Sequence, residues 1–201
     1  MKRFAVLSAI LLMPLVAAAQ DATLVDGDID HGYYGGLITK VTPINGQLGF
    51  MLGAEATWVV DRQLYVGAQA IGIANEVDAV KRQSDNTPYV MWVNELGGRA
   101  GYILNSDDLV HFSAGALIGA GSLQLADRYP WTDPADVETY GGQDYYFIVE
   151  PEVAAELNVA PWMRAKVAGS YRIVNGAETE GVADDDLSGP AGALTLMFGS
   201  F

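Results

Sequence analysis

Three groups of residues have types and spacing that could do chemistry. Between 147 and 172, Glu150, Glu152, Glu156 and Asn158 fall on one side of a period-two alternation. Arg164, Lys166, Ser170 and Arg172 do the same a short turn later. Facing rows of carboxylates and cations can brace an interior, gate ions or pass protons. His111 and Ser113, two apart, share one face of a strand, as a general base and a nucleophile would. Asp184, Asp185 and Asp186 supply hard oxygen ligands of the kind Ca²⁺ or Mg²⁺ takes, although without the spacing of an EF-hand loop.

All three must be held by strands. Alternation and turn residues predict eight of them, at 32–42, 47–60, 63–74, 89–104, 109–125, 145–159, 163–174 and 192–201. Turns are expected at Asn45-Gly46, Asp61-Arg62, 105–108 and 160–162. Residues 75–88, 126–144 and 175–191 read as long loops rich in Asp, Glu, Pro and Gly. Apart from the tight Asn45-Gly46 turn, long loops at one end and tight turns at the other suit a membrane barrel with its termini at the short-turn end.

Ahead of the strands, Lys2 and Arg3, an apolar run over 4–16 and the small residues Ala17-Ala18-Ala19 predict a signal peptide over 1–19. Residues 20–30 form an acidic lead-in, and 31–201 the barrel. The chain has no Cys, which excludes disulfides, thiol chemistry and Cys-based metal sites. Its net charge of −14 disfavours nucleic acid as a partner.

The strands offer one apolar and one polar face, and the expectation is that the polar one lines the lumen. Gly36, Gly49, Gly53, Gly67, Gly97, Gly101, Gly115, Gly119 and Gly121 crowd it, giving charged side chains room. Its charges also balance. Glu55, Glu95, Glu150, Glu152 and Glu156 stand against Lys40, Arg99, Arg164, Lys166 and Arg172, so the acidic excess lies in the loops and lead-in. An interior must pair its ions, because a lone buried one costs several kcal/mol. On the apolar face, aromatics gather near strand ends. Tyr33, Trp58, Tyr102, Phe112, Phe201 and Trp162 lie toward the short turns, and Phe50, Trp92, Phe147 and Tyr171 toward the long loops. Trp92 and Tyr102 are spaced for a lipid-facing band of roughly 25 Å. Asn94 interrupts the apolar row.

The last strand, 193–201, ends on Phe201 and resembles the terminal strand of outer-membrane barrels, whose final aromatic the assembly machinery reads. With the signal segment and eight strands, the chain is similar throughout to small barrels of the OmpA-transmembrane and OmpX type. Gly199 departs from that pattern, standing where the family often has a large apolar residue. The resemblance implies an all-β, eight-stranded antiparallel up-and-down transmembrane barrel with a polar, charge-paired lumen. It implies location in the outer membrane of a Gram-negative bacterium, with long loops outside and termini periplasmic. The expected partners are outer-membrane lipids, lipopolysaccharide and the assembly machinery, for a monomer with no cofactor and no enzymatic role.

Two other readings stay open. His111-Phe112-Ser113 resembles in miniature the His-x-Ser pair of lipid A deacylase barrels, although loop parity puts it at the other end from that family's site. A secreted, lipocalin-like barrel would instead turn the apolar face inward around an apolar ligand.

Overall fold

The computed structural model describes residues 29–81, 88–127, 139–179 and 181–201. The expected signal segment and most of the lead-in lie outside these residues, as does the centre of the loop holding Tyr129, Trp131, Asp133, Asp136 and Glu138.

Eight long strands close into an antiparallel barrel. They are β1 (His31–Ile44), β2 (Gln47–Val60), β3 (Leu64–Ile73), β5 (Pro88–Leu104), β6 (Val110–Ala126), β7 (Thr139–Ala160), β8 (Met163–Asn175) and β9 (Gly189–Ser200). Each pairs with its sequence neighbour, β9 pairs with β1, and β3 pairs with β5 to seal the wall. A short β4 (Asp78–Lys81) pairs with the loop end of β5, within the stretch expected as plain loop. A single-turn helix, α1 (Asp184–Leu187), interrupts another expected loop, and β9 begins at Gly189, three residues earlier than alternation predicts.

The β1–β2 turn takes the two-residue form that Asn-Gly favours, with Asn45 at φ 49° and Gly46 at φ 71°. Left-handed backbone matches the twist of the flanking strands, so this turn fixes their register.

The apolar face points outward. Leu37, Leu48, Leu96, Phe112, Ile118, Val153 and Val167 are all exposed, while Lys40, Glu55, Glu95, Arg99 and Arg172 on alternate positions are buried. A soluble barrel reverses this arrangement, so the lipocalin-like alternative fails. Outward aromatics stand at both ends, with Tyr33, Trp58 and Trp162 near the short turns and Tyr145, Phe147 and Tyr171 near the long loops.

Phe201 is a correction to the expected girdle. It shares parity with Thr195 and Met197, which are buried, so its ring turns in beneath the barrel mouth, 5.5 Å from the ring of Tyr34. Gly199 also has a steric cause, because a Cβ there would sit 2.0 Å from the Tyr33 carbonyl. Close approach to β1 excludes the large residue expected at that place.

Candidate functional site: a layered, charge-paired lumen

The lumen is stacked in layers along the barrel axis. At the long-loop end an apolar layer gathers Met51, Ile73, Met91, Leu123, Ile148 and Val174 from the strands. Val77, Val182 and Leu187 join it from the loops. These strand residues have the parity of the face expected to be polar, which is therefore polar only over its middle. At the short-turn end Tyr34, Val59, Tyr65, Ile103 and Met197 form a second apolar cluster, with Phe201 against it.

The ten strand charges lie between these layers. Nearest the loops, Lys40 Nζ donates to Glu150 Oε2 at 2.8 Å and lies 3.9 Å from Glu95. Arg172 Nη1 donates to Glu95 Oε1 at 2.8 Å. Lower down, Arg99 pairs with Glu55 and, at 2.8 Å, with Glu152. Lys166 lies 3.5 Å from Glu55 and 3.4 Å from Glu152. Lowest, Glu156 receives Ser113 Oγ at 2.6 Å and faces His111 Nε2 at 3.2 Å, with Arg164 4.0 Å away.

The rows on β7 and β8 are neighbours and pair in part, with Lys166 3.4 Å from Glu152, Ser170 Oγ donating to Glu150 Oε1 at 2.6 Å and Arg164 4.0 Å from Glu156. Their other partners lie on distant strands. Glu156 sits opposite Lys166 in register, yet Lys166 reaches Glu152 and Glu55 instead. Glu150 goes to Lys40 on β1, and Arg172 crosses to Glu95 on β5. Closure brings strands distant in sequence within reach of one another. The pairs between non-adjacent strands therefore span the lumen and tie separate parts of the wall together, where a lone hairpin would hold only two strands.

Arg172 does the most. It is fully buried, and besides Glu95 it donates from Nε to the Leu187 carbonyl at 2.5 Å and from Nη2 to the Pro43 carbonyl at 3.3 Å. One guanidinium thus binds the wall at β5, the end of β1 and the last turn of α1. Its planar fork of donors suits such divergent acceptors better than an ammonium would.

The segment after β8 is held over the mouth by further bonds. The Asn45 amide donates to the Asp186 carbonyl at 2.7 Å. Asp144 Oδ2 accepts from the Glu178 amide at 2.7 Å and from Thr179 Oγ1 at 3.0 Å. Asp184 accepts from the Ala177 amide at 2.7 Å, and Asp186 from the Ala183 amide at 2.8 Å. Asp184 and Asp186 are thus engaged with backbone, and Asp185 points to solvent. Among the described residues no three His, Asp or Glu side chains gather as metal ligands. The sequence signal for this cap was the isolated Val77, Val182 and Leu187 within otherwise polar loops.

Most lumenal glycines make room for rings and aliphatic chains rather than for charges. A Cβ on Gly121 would meet the Tyr146 ring at 2.2 Å, and one on Gly115 would meet Tyr65 Oη at 2.1 Å. Only at Gly36 does a charged side chain, Glu55, take up the space. Beside Arg99, Gln69 and Glu152 there remains a cavity of about 10 Å³, the size of one water. On the outer face, Asn94 lies across the glycine opposite it, its Oδ1 2.6 Å from where a Gly72 Cβ would be.

His111 and Ser113 come together without forming a nucleophilic pair. Both are buried, and Ser113 directs its proton to Glu156. His111 Nδ1 faces the Asp108 carbonyl at 3.2 Å. Among the described residues no hydrogen bond joins the hydroxyl to the imidazole, so the base is not placed to take the Oγ proton.

Fold and lumen together define a small, up-and-down barrel of the outer-membrane kind, with apolar walls outside and paired charges within. Solved structures of that kind are similar to it. The N-terminal β-barrel domain of Pseudomonas aeruginosa OprF aligns with a TM-score of 0.54 at 9% identity, over 84% of this chain and 96% of that one. Neisserial surface protein A aligns with a TM-score of 0.55 at 12% identity, over 87% and 99%. At such identities the likeness is one of fold. No protein-family model and no curated protein sequence matches the chain.

Proposed function

We propose that this chain is a non-enzymatic barrel of the Gram-negative outer membrane, with its long loops outside and its short turns and termini in the periplasm. Its lumen is sealed, by the ionic belt through the middle and by the apolar layer with its α1 cap above. The role that follows is structural, with surface contacts made by the acidic loops. The observation that carries this reading is the fully buried Arg172, which ties the loop cap to two strands and an internal carboxylate. A conducting pore has no use for a cation whose Nε, Nη1 and Nη2 are each engaged by the walls and the lid.

The partners follow from the surfaces. The outward apolar band meets outer-membrane lipids and lipopolysaccharide, and the last strand with Phe201 is what the assembly machinery reads. The barrel acts as a monomer. Catalysis is disfavoured by the engagement of Ser113 with Glu156 and by the burial of His111.

Cell fractionation tests the assignment. Recovery from membranes only with detergent, with gel migration that changes on heating, is expected. Release as a soluble periplasmic protein overturns it. Lipid A mass profiles with and without the protein should be the same, and a deacylated product would restore the enzymatic reading.

A further inference from the structure

We infer that the short-turn end carries a binding site for a phosphate-type oxyanion, built on Arg164 and Arg62. A concavity of about 440 Å³ opens there between the β7–β8 turn and the last residue, lined by Arg62, Asn158, Pro161, Arg164 and Phe201 among others. Two arginines in one concavity of a chain with so few cations call for an account of where their donors go.

Arg164 is the stronger observation. Its side chain is 4% exposed, and its guanidinium lies over the Phe201 ring at 4.2 Å. Stacking occupies a face of the guanidinium and leaves its edge of N–H donors unused. The nearest carboxylate, Glu156, is 4.0 Å away and already takes Ser113 and faces His111. Among the described residues Arg164 makes no hydrogen bond, and its Nε is buried without a partner. Buried donors in folded proteins are nearly always paired, so an unpaired guanidinium edge beside an open concavity points to a ligand.

Arg62 repeats the pattern from the other side. It sits in the β2–β3 turn in the left-handed region, at φ 58°. Its Nη1 meets Asp107 at 2.5 Å, yet its Nε is also buried and unpaired. Asp107 is 75% exposed and free to swing into solvent when a stronger anion arrives. Asn158 holds the rim, donating from Nδ2 to the carbonyls of Ser106 at 3.2 Å and Asp108 at 2.8 Å.

Two guanidinium forks approaching from separate elements, a turn and a strand, suit a tetrahedral oxyanion, which offers oxygens in several directions. A planar carboxylate satisfies one fork. Trp162, exposed on the same turn, stands among the outward aromatics, so the concavity lies where a membrane surface would meet it. The phosphate can come from a phospholipid headgroup or from solution.

The test uses the folded barrel purified in a maltoside detergent, with the ¹⁵N–¹H signals of the arginine Nε–H groups as readout. One arm titrates inorganic phosphate at constant ionic strength, and the other dihexanoylphosphatidylglycerol. Saturable shifts at Arg164 and Arg62 are expected in at least one arm. Phosphate alone acting assigns a soluble ligand, and the lipid alone a headgroup. Arg62→Gln and Arg164→Lys should each weaken binding by at least about tenfold, the first because it removes the charge behind a hydrogen bond and the second because an ammonium cannot reproduce the planar two-donor edge of the guanidinium. Should Arg164→Lys fail to fold, Arg62→Gln decides, since its side chain is 42% exposed in a turn. No saturable shift in either arm, or an affinity unchanged by Arg62→Gln, overturns the site.

Discussion

Replacing Arg172 by Met removes the cation that joins β5, β1 and the α1 cap. Glu95 is then left with Lys40 at 3.9 Å, and Lys40 is already bound to Glu150 at 2.8 Å. Glu95 becomes a buried carboxylate with half a partner, which costs about 3–5 kcal/mol. Glu95→Leu alone leaves Arg172 uncompensated and should cost a similar amount. In the double variant both charges are gone, Lys40 keeps Glu150, and the new side chains enter an environment that includes Met51 and Leu187. What remains is the loss of the donors to the Leu187 and Pro43 carbonyls, at about 1 kcal/mol each. The double variant should therefore be about 2 kcal/mol less stable than the parent and clearly more stable than either single variant. Urea unfolding of the barrel in lipid vesicles, followed by tryptophan fluorescence, measures all four corners of the cycle. Additive costs would refute the reasoning, because the pair would then not be the unit that the lumen geometry makes it. Single variants costing less than about 1 kcal/mol would refute it as well, since the site would then be solvated like a surface pair.

Other consequences are local. Leu187→Ala empties a fully buried position in the cap and should cost about 2–5 kcal/mol there, seen as faster amide exchange at Asn45 and Ala177 with strand amides unchanged. Gly121→Val drives a side chain into the Tyr146 ring and should destabilise by about 1–3 kcal/mol, largely recovered when Tyr146→Ala is added. Trp58 and Trp162, left singly in turn, should be quenched by bilayers of lipids brominated near the headgroup. Equal quenching by bromines at the chain ends would contradict an interfacial girdle.

The strands and their two faces were legible because period two persists over ten or more residues in most of them. Buried charge could be anticipated from the balance of Glu55, Glu95, Glu150, Glu152 and Glu156 against the five cations. Partner choice was not, because alternation within β7 and β8 carries no information about which strands face each other across a closed lumen. That Glu150 meets Lys40 depends on the closure of the whole sheet. The apolar layer was missed for a related reason. Met51, Ile73, Leu123 and Ile148 sit in register with charges on the same face, and parity reports a face without its depth. Phe201 is expected outward as one of the aromatics at the strand ends, although its parity with Thr195 and Met197 points inward. Arg62 left no signal, since beside Asp61 it reads as a neutral turn.

The proposal that the lumen is sealed is tested most directly by planar-bilayer recording of the purified barrel. With Arg172 held by Glu95, Pro43 and Leu187, and Val182 and Leu187 packed across the loop end, the expected result is an unbroken baseline with no steady conductance. A steady, large conductance through the parent protein would contradict the account.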